Sequence, residues 1–328
     1  MKALITGGMG VIGAEVSRRF VREGHRPVIF ARHRDESLIG DLRDKVDIEI
    51  GDVTDFPSLL HAIKKHQITH IVHAGGLVSA LSQANPPMGV QVNIAGTVNV
   101  LEAARLFDIK RVVYTSAKGV YGPFPGEYGH PTYKPVPEDY VRRPMRLYDS
   151  LKFMAENACE FYRKTYGVDV VWLRFATTYG PGKTARHGTM GVTSRIIEDP
   201  FYGRAFTLPK GGDQKDEFIY NKDTALGVYL ACVTERLESC VFNIGTGTGV
   251  TLKDFARVVR QFVPSAQLEI GDGLGFFDYP HPMYAVFDIS RAQKELGYKP
   301  QFTLETGIAD YMEALKRMQR EKQAAVRA

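Results

Sequence analysis

The stretch Lys2-Ala3-Leu4-Ile5-Thr6-Gly7-Gly8-Met9-Gly10-Val11-Ile12-Gly13 decides the fold. An apolar strand, Lys2–Thr6, runs into glycines spaced G-x-x-G-x-x-G at Gly7, Gly10 and Gly13, and a helical pattern follows over Val11–Glu23. Glycines at a strand-to-helix turn let the backbone bend tightly and approach a pyrophosphate, while the helix N-terminus offers unpaired N–H groups and partial positive charge. The motif is weak alone and informative in this setting, between a strand and a helix. A second apolar strand, Arg26–Ala31, completes a βαβ unit whose expected ligand is a dinucleotide.

The alternation continues outward through Val46–Gly51, a helix over Phe56–His66, His70–His73, and a helix around Val90–Phe107. It goes on through Arg111–Ser116, a helix around Leu147–Tyr166, and Val168–Arg174. Strands separated by helices need crossover connections, so the expected class is α/β with a doubly wound, mostly parallel sheet covered on both faces. After Tyr179 the pattern loosens: Gly180-Pro181-Gly182 opens a polar loop to Gly191, and Pro209–Lys215 forms another. We therefore expect a dinucleotide-binding domain over 1–178 and a smaller, partly discontinuous C-terminal substrate domain from 179–216 and 249–328. Glu217–Tyr220 and Val241–Ile244 again read as sheet strands, which returns about 217–248 to the first domain. Leu304–Arg327 reads as an amphipathic helix.

Composition narrows the function classes. In 328 residues, 44% hydrophobic and 24% charged, disorder and a disulfide scaffold are excluded. The net charge of +5 is spread along the chain, and its one compact basic stretch, Lys316–Arg327, suits a solvated helix end better than a nucleic-acid site. No apolar run reaches the roughly 18 residues of a membrane span. The N-terminus turns polar too early for a signal peptide. Cys159, Cys232 and Cys240 are odd in number and lack metal-like spacing, so reduced thiols and a cytoplasmic protein are expected. The histidines are scattered, and no metal is expected.

The end of the second strand selects the dinucleotide, because an acid there binds the ribose 2′-OH of NAD whereas an arginine accommodates the 2′-phosphate of NADP. Here Val28-Ile29-Phe30 leads into Ala31-Arg32-His33-Arg34, with no acid before Asp35. That favours NADP, with Arg32 as the reader; if Arg32 and Arg34 are merely solvated, the cofactor is NAD. Tyr148 and Lys152 lie four apart on a helical pattern and so share a face. An ammonium beside a phenol favours the phenolate, and a tyrosine so tuned can exchange a proton with an alcohol or carbonyl while hydride moves to or from a nicotinamide.

Taken in order, several further motifs resemble those of the extended short-chain dehydrogenase/reductase family, in its NAD-dependent epimerase/dehydratase branch. They are Gly51-Asp52-Val53-Thr54-Asp55, His73-Ala74-Gly75-Gly76, Asn93-Ile94-Ala95-Gly96-Thr97, Val120-Tyr121-Gly122, Tyr179-Gly180-Pro181-Gly182, Phe242-Asn243-Ile244-Gly245 and Leu296-Gly297-Tyr298-Lys299-Pro300. The resemblance implies a Rossmann sheet, with Tyr148 as general acid/base and Lys152 tuning it and binding the nicotinamide ribose. Asp52 and Val53 would contact the adenine, and Ala74, Gly75, Gly76, Asn93 and Ala176 would line the cofactor with Gly7, Gly10, Val11, Ile12 and Gly13. It also implies a homodimer, joined through a four-helix bundle of the helices near Val90–Phe107 and Leu147–Tyr166.

Three departures bear on the substrate. The family's catalytic hydroxyl falls at Ala117; Ser116 or Thr115 supplies it instead, or Lys118 or a water polarises the substrate oxygen. The arginine with which sugar-nucleotide members clamp the diphosphate corresponds to Asp216, in Asp216-Glu217-Phe218-Ile219-Tyr220. Finally, Asp278–Tyr284 lacks a second arginine, and an asparagine beside the phosphates corresponds to Thr177. Substrate candidates are Ala117, Lys118, Tyr121, Thr177 and Arg186. Arg142, Arg143 and Arg146, in a long Pro123–Arg146 loop read as a lid, and Lys183, Arg186 and His187 are candidates for a carboxylate or phosphate. The expected function is a nicotinamide-dependent oxidoreductase or epimerase acting on a secondary alcohol or ketone of a small polar substrate. The alternatives are a nucleotide-sugar 4-epimerase or dehydratase, and an inactive dinucleotide-binding regulator.

Overall fold

The computed structural model describes residues 1–187, 191–277 and 282–327. Its strands are β1 Ala3–Thr6, β2 Val28–Ala31, β3 Asp47–Ile50, β4 His70–His73, β5 Arg111–Ala117, β6 Val170–Phe175, β7 Thr177–Tyr179, β8 Phe206–Leu208, β9 Lys215–Tyr220, β10 Val241–Ile244, β11 Gly249–Thr251 and β12 Leu268–Ile270. Seven of them form one parallel sheet in the order β10-β6-β5-β4-β1-β2-β3. The chain winds outward in both directions from β1 and β4, and ligands in such sheets bind at the carboxyl ends of the strands flanking that switch.

The strands are buried on both faces, so they read as continuous apolar runs. Their alternate residues feed separate cores. Ile5, Val72 and Val113 pack with Val16, Phe20 and Val228 from the helices Val11–Arg22 and Asn221–Val233. Leu4, Ile71 and Val112 pack on the opposite face with Leu59, Val100 and Ala155, from the helices Phe56–His66, Gly96–Leu106 and Leu147–Tyr166. The expected helix around Val90–Phe107 is interrupted by a π-type turn over Gln91–Ala95. Inside that turn Asn93 reaches out to the backbone of Leu77, consistent with the positions where such turns occur.

Val241–Ile244 joins the large sheet beside β6, as expected. Glu217–Tyr220 does not: it belongs to β9, which pairs with β7 and β11 in a separate three-stranded sheet. The Pro123–Arg146 loop is no free lid either. Phe124 and Val136 are buried, Phe124 and Val136 bond the backbone at Pro282 and Val286, and Tyr121, Phe124 and Tyr140 form an aromatic group.

Beneath the site lies a buried ion pair. Arg174 on β6 donates from Nε and Nη2 to Glu156 at 2.9 and 2.7 Å, and from Nη1 to the Tyr121 hydroxyl and the Glu138 carbonyl. Tyr121 in turn donates to Asn243 at 2.6 Å. It is fully buried and does not line the cleft described below, which removes it from the substrate candidates. Removing one member of a buried pair strands the other charge, at a cost of about 3–5 kcal/mol. Arg174→Met is expected to lose stability of that order in urea unfolding, more than Arg26→Met at the exposed pair with Asp47.

Candidate active site

A cleft of about 710 Å³ opens at the carboxyl ends of β1, β4, β5 and β6. One wall is backbone. Gly7 has a φ of +66°, and a Cβ there would sit 2.8 Å from Gly75; a Cβ on Gly13 would meet the Gly7 carbonyl oxygen at 2.2 Å. Gly10 caps the helix Val11–Arg22 with no side chain and no acid in its first turn, leaving N–H groups open to an anion. A chain of hydrogen bonds braces this wall: Gly75 N–H to Thr6, Thr6 to His73 Nδ1, His73 Nε2 to Thr97, and Thr97 to the Asn93 carbonyl. Burial and the Lys152 charge bring the His73 pKa down to about 3, so the ring is neutral and can both accept and donate.

The cleft is lined by Gly7, Gly10, Val11, Ile12, Gly13, Arg32, Ala74, Gly75, Gly76 and Ala176. These fit a dinucleotide, since backbone stands where any Cβ would intrude. Asp52, Val53 and Asn93 are not brought to the cleft surface. Asp52 accepts from the Thr54 amide and hydroxyl, Val53 packs on Gly96, and Asn93 holds the Leu77 backbone with both ends of its amide. Arg186 lines the cleft but is engaged elsewhere: it pairs with Asp35 and Ser37, beside the loop after β2. The side chain of His187, and residues Gly188–Met190 and Asp278–His281, lie outside the described residues.

The helix Leu147–Tyr166 brings Tyr148, Asp149 and Lys152 to the cleft. Lys152 donates to the Thr115 carbonyl at 2.7 Å and lies 5.8 Å from the centre of the Tyr148 ring. Tyr148 is not tuned as the spacing suggested. Burial first, then the Asp149 carboxylate, push its phenol above the usual tyrosine range, with Arg146 opposing. Arg146 holds Asp149 through two bonds of 2.6 and 2.9 Å. Ser116 is also placed differently, because its hydroxyl donates to buried Glu156 at 2.6 Å and Thr115 donates to the His73 carbonyl. Neither hydroxyl is left for a substrate oxygen.

The far wall is made of side chains. Ala117, Lys118, Thr177 and Lys183 line the cleft with Asp216. Asp216 accepts from Lys118, from the Thr177 hydroxyl at 2.8 Å and from the Ala285 amide at 3.1 Å. Lys183 stands in the cleft, where a candidate for a carboxylate or phosphate was expected, whereas Asp149 carried no signal beyond its place beside Tyr148. Among the described residues, no cluster of His, Cys, Asp and Glu could hold a metal ion, and no helix is long and apolar enough to cross a membrane.

A glycine cradle at the switch point of a parallel sheet, facing a tyrosine and lysine one helical turn apart, defines a nicotinamide-dependent oxidoreductase. The chain belongs to the NAD dependent epimerase/dehydratase family, whose model matches residues 3–245. It is 28% identical over 327 residues to a UDP-glucose 4-epimerase of Mycolicibacterium smegmatis, covering 95% of this chain and 98% of that one. Its fold is similar to that of UDP-glucose 4-epimerase from Thermotoga maritima with UDP-glucose (TM-score 0.84, 23% identity, 97% of this chain and 100% of that one). It is similar as well to that of L-threonine dehydrogenase from Clostridium difficile (TM-score 0.81, 23% identity, 96% and 98%). The fold alone does not choose between such substrates.

Burial pulls the Lys152 pKa from 10.5 down to about 8. Between those values the unfolded lysine keeps a proton that the folded one has released, so this group makes stability rise with pH there, and its full penalty is present below pH 8. The unfolding-temperature difference, Lys152→Met minus wild type, should therefore fall as pH is raised from 8 to 10. A constant difference across that range would contradict this.

Proposed function

We propose that the enzyme moves hydride at a secondary alcohol or ketone carbon of a small polar substrate that has no nucleotide handle. The observation that carries this reading is Asp216. It occupies the position where sugar-nucleotide members carry a diphosphate-clamping arginine, and it is buried with its oxygens occupied by Lys118, Thr177 and Ala285. A carboxylate there repels a diphosphate, and Lys118 offers only a point charge that Asp216 already engages. Thr177, in place of the family asparagine, is likewise turned to Asp216.

Tyr148 is the general acid/base in this reading, and Lys152 orients the nicotinamide ribose from its place beside Gly76. A nicotinamide bound there would supply or accept the hydride. Burial and the Asp149 carboxylate hold the proton on Tyr148, as a general acid requires. Ser116 being engaged, Lys118 is the remaining protein group beside Ala117 able to polarise a substrate oxygen. The Tyr148–Lys152 pair argues against a regulator that only binds dinucleotide.

NADP is the favoured cofactor. Arg32 lines the cleft at the end of β2, and the first acid beyond it, Asp35, is engaged by Arg186. A homodimer belongs to the same reading, supported by exposed Val90, Leu106, Met154 and Phe161 on the segments expected to form the bundle.

Tyr148→Phe is expected to lower kcat by about 10²–10⁴ while cofactor affinity stays within a few-fold. Arg32→Ala should weaken NADPH binding about tenfold or more, the worth of one charge-assisted hydrogen bond, and leave NADH unchanged. UDP should not raise the unfolding temperature; a clear rise would restore the nucleotide-sugar epimerase.

A further inference from the structure

We propose that the substrate carries a carboxylate, and that the ammonium groups of Lys118 and Lys183 receive it at the end of the cleft beyond Ala117; this inference rests on the oxidoreductase reading above. Both lysines line the cleft and are buried, with 9% and 8% of their surface exposed. They approach from separate elements, Lys118 from the turn after β5 and Lys183 from the short helix Lys183–His187.

Donor arithmetic distinguishes this pair from a closed structural cluster. An ammonium has three N–H bonds to place. Among the described residues Lys118 has two acceptors, Asp216 and Thr177, and Lys183 has one, the Thr178 carbonyl. Three N–H groups therefore remain for a ligand. Asp216 already accepts from Lys118, Thr177 and Ala285, so of its roughly four acceptor sites at most one is left for these three N–H groups.

Charge gives the same answer. Two ammonium groups face the Asp216 carboxylate, and burial raises the neighbouring Glu217 to about 7, so with Glu217 protonated the cluster carries a net charge of +1 in a buried setting, which is costly unless compensated. The lysines oppose one another, and burial together with Lys118 brings the Lys183 pKa down to about 8. Two nearby cleft arginines are already matched, Arg146 with Asp149 and Arg186 with Asp35, and Lys152 and Arg32, which also line the cleft, add no negative charge that could offset the pair. A monoanion would neutralise the wall and complete both donor sets. A neutral alcohol would leave the excess charge, and a diphosphate would bring surplus negative charge against Asp216. Ala117, which lines the same cleft as the lysines and Tyr148, carries only a methyl group, so we place the reacting carbon close to the carboxylate, as in a small hydroxy or keto acid.

The test uses the enzyme saturated with NADPH, so that the pyrophosphate loop is filled, and compares oxamate with its uncharged analogue oxamide by calorimetry. Oxamate should bind about tenfold or more tightly than oxamide. That preference should vanish in Lys183→Met and in the charge-neutral pair Lys118→Met/Asp216→Asn, with NADPH affinity unchanged in both as a check on folding. Equal binding of the two probes, no binding of either, or a preference that survives both variants overturns the proposal. A turnover arm that supplies NADP+ as the hydride acceptor, with 3-hydroxybutyrate and 1,3-butanediol as substrates, separates this failure from a wider one. Tyr148-dependent oxidation of the neutral diol alone would sink the carboxylate site and keep the oxidoreductase reading, whereas a protein that binds neither NADPH nor NADH would sink both.

Discussion

The position of the helix Leu147–Tyr166 is fixed by one buried guanidinium. Arg174 projects from β6 and grips both oxygens of Glu156, which lies four residues beyond Lys152 and eight beyond Tyr148, on the same helical face. The pair thus sets how far the tyrosine and lysine stand from the sheet ends that hold the cofactor wall. Its other bonds, to Tyr121 and the Glu138 carbonyl, fasten the long loop after β5 to the same point, and Tyr121 passes the connection to Asn243 on β10. Such a pair contributes little net stability compared with apolar residues of the same volume. Its role is positional, and Ser116 is drawn into it, so this stretch serves geometry instead of polarising substrate.

The two walls of the cleft solve different problems with different materials. On the dinucleotide side the close packing of Gly7 against Gly75 and of Gly13 against Gly7 is between backbone atoms, and a side chain on Gly7 or Gly13 would have to displace main chain. That wall is stiffened by a neutral histidine and three threonine or glycine partners whose protons run in one direction. The substrate side is held by Asp216, Lys118, Thr177 and Lys183, side chains that can change individually without altering the sheet. A fold built this way keeps its cofactor chemistry while its substrate wall is rewritten, which is why likeness to both sugar-nucleotide and amino-acid enzymes is no paradox.

Much of this was legible in the sequence where the signal is local. The apolar runs around β1, β4 and β6 and the helix Leu147–Tyr166 follow from periodicity, and the glycine spacing marks the cofactor turn. What failed to read was partnership over distance. Glu217–Tyr220 looks like a strand, but nothing in a short run says which sheet receives it. Tyr121 sits in a motif near the site, yet its burial depends on Arg174 and Asn243, 53 and 122 residues away. Arg186 reads as a substrate-loop charge, and its partner Asp35 is 151 residues earlier. Asn93 was placed at the cofactor by resemblance, whereas its amide is consumed in shaping the loop that meets Gly7.

Asp216 and Lys118 are best understood as one change. An acid alone at the former clamp position would bury an unpaired carboxylate, at a cost that neutralisation or a counter-charge must offset. Lys118 provides that counter-charge from the turn that follows Ala117, and Lys183 then makes the wall positive by one. The anchoring charge thereby moves from the remote end of a long substrate to a place beside the reacting carbon. A sugar-nucleotide enzyme can use binding energy from the distant diphosphate to orient its sugar. A small substrate has no such remote group, so its orientation must come from a contact a few bonds from the chemistry, where misplacement is felt directly in the rate. On this view the lysine wall and the missing hydroxyl at Ala117 belong together: the group that fixes the substrate also takes up the electrostatic work that a serine does elsewhere in the family.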